Sequence, residues 1–283
     1  MCYDPRVRVA VVGHTEWIEV LRLPRVPRAG EIVHARAMLE VPGGGGGVPA
    51  VMMAQWAGAC TFYTALGDDE LGHRAHATMR GWGVDVHAAF RPVPQRRVIG
   101  FIDAQRERTL TVVGDRLSPH ASDPLPWDAL AEHDAVFVTA GDAGAIRAAR
   151  QARVVVATSR FTRALAEAGI AIDALVGSVA DPAEHYERGQ LAPEPGVVVR
   201  TDGARGGTYV LADGTQHAYA AVPAEVTGDS FGAGDAFAGA LTLALAGGAA
   251  IGDALAAAAA RAAEVLAYDG PYPPALTACT DRA

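Results

Sequence analysis

Residues Val226 to Leu241, VTGDSFGAGDAFAGAL, put Gly232, Ala233 and Gly234 directly ahead of Asp235 and an alanine-rich stretch with the composition of a helix. With almost no side chain at 232–234, backbone N–H groups can approach a ligand closely. A helix start has unpaired N–H groups and the positive end of the macrodipole, so it attracts anions. A carboxylate beside an anion site is repelled and needs a task. Deprotonating an alcohol while amides gather the charge of a moving phosphoryl group is such a task. For structure alone, these glycines serve a tight loop with positive φ, and Gly-x-Gly is a weak signal. Asp235 tips the balance toward chemistry.

Composition narrows the chemistry. The chain has 283 residues, half of them apolar, with a formal net charge of −8. That balance argues against a nucleic-acid binder with a basic face. All 24 basic residues other than histidine are arginine. Without lysine, neither a P-loop, which needs Gly-Lys-Ser/Thr, nor a protein kinase, which needs a strand lysine, is available. The glycines at 43–47 do not follow the first strand directly, and no ribose-binding acid follows, so they fail as a dinucleotide fingerprint. Cys2, Cys60 and Cys279 are scattered and odd in number, which suits a reducing cytoplasm. No signal peptide is evident, and the apolar run 240–263 is broken by Gly247, Gly248, Asp253 and Arg261, so no membrane span is expected.

The elements that must position these groups read as α/β. VRVAVVG (7–13) is a buried parallel strand. The glycine run leads into a helix expected over 49–57, with Pro49 in its first turn. CTFYTALGDDELG reads as a strand, a turn and a helix running to Trp82. RRVIGFIDAQRERTLTVV reads as a hairpin. Strands within 134–141, 152–159, 173–178 and 196–203 alternate with helical segments, which implies a parallel sheet covered on both faces. GGTYVLADGTQHAYAA is a hairpin with Asp-Gly at its turn, and 236–267 holds one or two helices.

DSFGAGDAFAGAL resembles the Asp-Thr-x-Gly-Ala-Gly-Asp signature of the ribokinase-like, or PfkB-type, carbohydrate kinases. Four more segments match in order: PGGGGGVPAVMMAQWAGA, LGDDELG (66–72), GVDV (83–86) and TDGARGG (201–207). The resemblance implies a single ribokinase-like domain over 1–283, a three-layer α/β/α sandwich with a small β lid from about 14–40 and 90–113. Relatives often dimerise through such lids, so a homodimer is expected. It further implies ATP-dependent phosphorylation of a hydroxyl on a small sugar or polyol, with magnesium. A nucleoside kinase and a non-catalytic nucleotide- or sugar-binding relative are the alternatives. By position, Asp235 corresponds to the catalytic base, and the amides of Gly232, Ala233 and Gly234 to the anion hole. Asp229 corresponds to a region that helps hold a monovalent cation such as potassium. Thr201, Gly203, Arg205 and Gly206 correspond to the ATP edge, and Gly43 and Gly44 to the glycines under the acceptor.

The departures fall on recognition of the sugar. Val48 stands where the family often has a sugar-binding asparagine. Ile18 is near the register of a substrate aspartate, with Glu16 and Glu19 as substitutes. Ser178-Val179-Ala180-Asp181 replaces Asn-x-x-Glu, leaving Asp181 to order magnesium-bound water. Phe231 lies inside the signature. An unusual acceptor is the implication. Asp142 ends a strand where α/β sites collect, and lining the cleft is one reading of it. His73 and His76 read as surface histidines rather than metal ligands, and Asp68-Asp69 as a capping turn. Trp17 faces substrate or packs.

Overall fold

Strand β1 (Val9–Val12) shows why the centre of the molecule forms. All four residues are buried. Val9 and Val11 join one apolar cluster while Ala10 and Val12 join another. Alternate side chains point to opposite faces, so a strand covered on both sides reads as an unbroken apolar run.

The computed structural model describes residues 6–277. After β1 come β2 (Glu16–Arg22), β3 (Ala37–Gly43), helix α1 (Gly44–Ala57), β4 (Cys60–Gly67), α2 (Glu70–Gly81) and β5 (Val84–Arg91). The hairpin of β6 (Arg97–Ile102) and β7 (Arg108–Val113) follows. Then come β8 (Ala135–Val138), α3 (Ala143–Ala149), β9 (Val154–Thr158), α4 (Thr162–Ala168), β10 (Ala174–Ser178) and β11 (Val197–Thr201). The hairpin of β12 (Gly207–Leu211) and β13 (Gln216–Tyr219) precedes α5 (Ala233–Ala246), α6 (Ile251–Val265) and α7 (Pro274–Thr277).

Nine strands form the main sheet in the order β13-β12-β11-β10-β9-β8-β1-β4-β5. It is parallel except for the β12 and β13 hairpin. Helices α1, α5 and α6 cover one face, α3 and α4 the other. This is the expected α/β/α sandwich. A second sheet, β3-β2-β6-β7, projects from it, with β2 and β6 parallel and the outer pairs antiparallel. Among the described residues, no helix is long and apolar enough to cross a membrane.

Some boundaries differ from expectation. Helix α1 begins at Gly44, so Pro49 lies inside it rather than in its first turn. Glycine is a poor helix former, but a Cβ at Gly44 would lie 2.9 Å from the Glu16 nitrogen and one at Gly46 2.8 Å from the His14 carbonyl oxygen. Close packing of helix on strand overrides propensity here. The second sheet runs through Gly43 and starts again at Arg97, because Phe90 and Arg91 still belong to β5 of the main sheet. The alanine-rich segment is two helices, parted at Gly247 and Gly248, with φ of +79° at the second. Cys60 is buried; Cys2 and Cys279 lie outside the described residues.

Candidate active site

The order of the main sheet reverses beside β1: the chain runs outward through β4 and β5, then returns to β8 on the other side. In open α/β sheets, ligands collect at such a switch point, beyond the carboxyl ends of the strands. His14 follows β1 and Thr139 follows β8 at that place, with Arg160, Asp181 and Glu184 beyond β9 and β10.

Gly232 caps α5 with φ of +86°, and a Cβ there would lie 2.8 Å from that of Pro271. Only glycine turns the chain into the helix at this point. A Cβ on Gly234, by contrast, would meet nothing within 4 Å, so protein packing gives no reason for that glycine; close approach of a ligand does. Neither the Gly232 nor the Gly234 amide has a backbone partner outside the helix, whereas the Ala233 amide makes a long 3.3 Å bond to the Ser230 carbonyl. Of the three amides expected to form an anion hole, those of Gly232 and Gly234 are the two without an outside backbone partner. Asp235 lies in the same first turn. Burial of its carboxyl raises its pKa to about 7, with Glu184 and Glu16 adding to the rise and Arg108 and Arg160 opposing it. A base poised near neutrality suits proton abstraction from an alcohol.

Asp229, 3% exposed, is saturated. Its carboxylate accepts from the Phe231 amide at 2.8 Å, the Gly270 amide at 3.0 Å and Arg22 at 2.7 Å. Arg22 also pairs with Asp269 at 2.9 Å. These residues do not fit a monovalent cation held by Asp229, because a guanidinium already supplies the positive charge. The second sheet grips the loop ahead of α5 twice more. Arg106 donates to the Val226 and Gly228 carbonyls at 2.5 and 3.2 Å, and Arg108 stacks 5.1 Å over the Phe231 ring.

On the acceptor side, Glu16 accepts from Arg96 at 2.6 Å and its charge reaches Asp235. Gly43 and Gly44 are bare for packing: a Cβ on the first would lie 2.2 Å from Ile18 Cδ1, and one on the second 2.9 Å from the Glu16 nitrogen. Val48 faces both Gly43 and Gly232, so an apolar floor of Ile18 and Val48 lies between the acceptor glycines and the anion hole. Glu19 is buried in a bidentate pair with Arg97 at 2.8 Å. Asp142 is an N-cap: one carboxylate oxygen accepts from the Ala145 and Ala121 amides at 2.8 and 3.0 Å. That oxygen serves the start of α3.

Arg160 pairs with both Asp181 and Glu184. Glu184 escaped the sequence reading because it falls outside the Ser178–Asp181 register, yet it is the carboxylate whose charge acts most on Asp235. Magnesium takes one or two carboxylates from a protein when phosphates and water complete its shell; Asp181 and Glu184 are two neighbouring carboxylates here, and Arg160 would have to release them for that use. Farther along the strand ends, Thr201 closes β11 and is paired with Ser178 of β10. Gly203 and Gly206 have φ of +54° and +84°, and Arg205 is held bidentately by Asp202 at 2.7 and 2.6 Å. A cavity of about 220 Å³ beside this loop is lined by Val179, Arg200, Asp202, Arg205 and Tyr219 among others.

Elsewhere, Asp69 caps α2 through the Gly72 amide at 2.9 Å. His73 bonds Asp68 at 2.9 Å and stacks on Phe90. Trp17 is 1% exposed, with Arg74 4.7 Å over its ring, so it packs rather than facing a cleft. His14, Arg96, Arg108, Arg116 and Arg160 were not picked out from sequence; scattered arginines carry no spacing signal.

The family model described as pfkB family carbohydrate kinase matches residues 7–278. No curated protein matches the chain by sequence. Among solved structures, a ribokinase from Thermotoga maritima is 18% identical with a TM-score of 0.76, over 98% of this chain and all of that one. An adenosine kinase from Sinorhizobium meliloti is 19% identical with a TM-score of 0.74, over 100% and 99%. A ribokinase from Arabidopsis thaliana, complexed with ribose and ATP, is 17% identical with a TM-score of 0.68, over 96% and 97%.

Proposed function

The chain belongs to the pfkB family of carbohydrate kinases, and on that premise we propose that it moves the γ-phosphate of ATP to a hydroxyl of a small sugar or sugar-like polyol. The observation that carries this reading is Asp235, a carboxyl with a pKa of about 7, in the same helical turn as the bare amide of Gly234. Asp235 takes the hydroxyl proton as the oxygen attacks. The amides of Gly232 and Gly234 receive the charge that builds on the phosphoryl oxygens. When bound, magnesium neutralises phosphate charge, and Asp181 and Glu184 would hold its water. ATP lies along the Thr201–Gly206 edge. The second sheet acts as the lid, excluding water above the acceptor.

Asp235→Asn tests the assignment. Expected is loss of turnover by at least about a hundredfold with ATP affinity within about twofold of the parent, read by ADP release and by calorimetry. Near-parental turnover would remove Asp235 from the reaction. The adenosine kinase likeness supports a second reading, a nucleoside acceptor. Comparing adenosine with free sugars in the same ADP assay separates the two.

A further inference from the structure

Arg160 occupies the acids that magnesium would use. It stands just after β9, and Asp181 and Glu184 follow β10, the neighbouring strand. One guanidinium bonds both acids. Nη2 donates to Asp181 Oδ2, and Nη2 and Nε approach Glu184 Oε1 at 3.0 and 3.1 Å. Backbone takes the other oxygen of each acid: the Ala183 amide donates to Asp181 Oδ1 at 2.9 Å, and the Ser178 amide to Glu184 Oε2 at 2.7 Å. The Ser159 hydroxyl, next to Arg160 in the chain, donates to the Glu184 carbonyl at 2.6 Å and fastens the two strand ends together. Every carboxylate oxygen here carries a donor. A divalent ion at these acids would also lie against a guanidinium, and like charges at that range repel.

Charge says where Arg160 goes when it leaves. Two acids face one guanidinium, so the trio is negative overall and repels an entering phosphate. Once another cation serves the acids, the guanidinium is surplus positive charge, and its planar fork matches phosphate oxygens as it matches carboxylates. The anion hole lies within its field: the Arg160 charge opposes the rise in the pKa of Asp235, in the first turn of α5. Arg96, Arg97 and Arg22 differ, since they bond Glu16, Glu19 and Asp229, acids to which the kinase reading assigns no magnesium. The Arg160 side chain is also 39% exposed, against 15% for that of Arg96, so it can turn without unpacking the core.

Resting on the kinase reading, we infer that Arg160 exchanges partners: in the empty cleft it closes Asp181 and Glu184, and as nucleotide arrives it passes to a nucleotide phosphate, freeing both acids for the metal's water. Arg160 is then both latch and catalytic residue. It gives its charge to phosphate oxygens only when the acids have a replacement cation. Only hydrogen bonds change hands in this exchange, and the proton of the acceptor still goes to Asp235.

ADP titrations by calorimetry in EDTA, and Mn2+ titrations without nucleotide followed by electron spin resonance, test this apart from turnover. Asp181→Asn with Glu184→Gln should bind ADP about tenfold or more tighter than the parent. Adding Arg160→Met to that pair should remove the gain, since no acid remains there for Arg160 to serve. In the otherwise unchanged chain, Arg160→Met should bind Mn2+ about tenfold or more tighter than the parent. Arg160→Gln gives the same reading should the methionine variant fold poorly. An ADP affinity indifferent to Arg160 in the neutralised pair overturns the inference, because the guanidinium then never meets a phosphate. So does unchanged or weaker Mn2+ binding in Arg160→Met, because the acids were then never closed. Either failure, with ADP still bound by the parent, leaves the kinase reading standing; ADP bound by none of these proteins sinks both.

Discussion

At the scale of residues, Asp235 combines function with instability. Its pKa is about 7 in the fold against 3.8 for an ordinary aspartate. The folded chain therefore binds this proton more tightly than the unfolded chain does. Stability from this group is full below about pH 4, falls as pH rises toward 7 and is level above that. Asp235→Asn should melt higher than the parent at pH 8, with the gap closing near pH 4; calorimetric melts across that range check it. In the active enzyme, kcat/KM should climb with pH and level off above about 7, since only the carboxylate accepts a proton. The two glycines of the anion hole separate fold from chemistry. Gly234→Ala should fold with an unchanged melting temperature and lose at least about tenfold in kcat, because its Cβ enters open space that a phosphate must use. Gly232→Ala should lose stability as well, from its φ of +86° and the contact with Pro271. Parental kcat in Gly234→Ala would mean that no ligand approaches that amide. Asp235 and these glycines were legible in the sequence because their spacing is local. Glu184 and Arg160 were not, because what matters in each is which distant side chain it faces.

Between elements, the second sheet and the loop before α5 are tied by Arg22, Arg106 and Arg108. Arg106 adopts φ of +64°, at the turn between β6 and β7, a conformation disfavoured for a residue with a side chain; its bonds to the Val226 and Gly228 carbonyls hold it there. The clamp ties this loop to the second sheet, and on the reading proposed above it takes the place of a bound cation. Turnover should accordingly be the same in potassium and in tetramethylammonium salts. Arg22→Gln leaves the buried Asp229 charge with backbone donors alone and should cost about 2 kcal/mol or more in urea unfolding. A parental enzyme that stops without potassium would refute the substitution of cation by arginine. Most strands and hairpins followed from apolar runs and turn residues. The start of α1 did not, since five glycines argue against a helix until the contacts with 13–16 are known.

For the whole molecule, assembly turns on the outer strand of the second sheet. Every residue of β7 is exposed, with Leu110, Val112 and Val113 at 41%, 48% and 43%, and the strand has an unpaired edge. Apolar edges invite pairing, which supports a homodimer through this sheet. Light scattering should give twice the mass of one chain, and Leu110→Asp with Val112→Asp should halve it; a parental monomer would end that proposal. By itself, the sequence determined the layered α/β architecture, the family, and the pairing of a carboxylate with bare amides, because all three are written in short-range periodicity and spacing. Only the tertiary structure decided that Asp142 is a cap and that Asp229 already holds a cation in Arg22. The pairing at Asp229 depends on charges brought together from far apart in the chain, and such an electrostatic environment has no local signature.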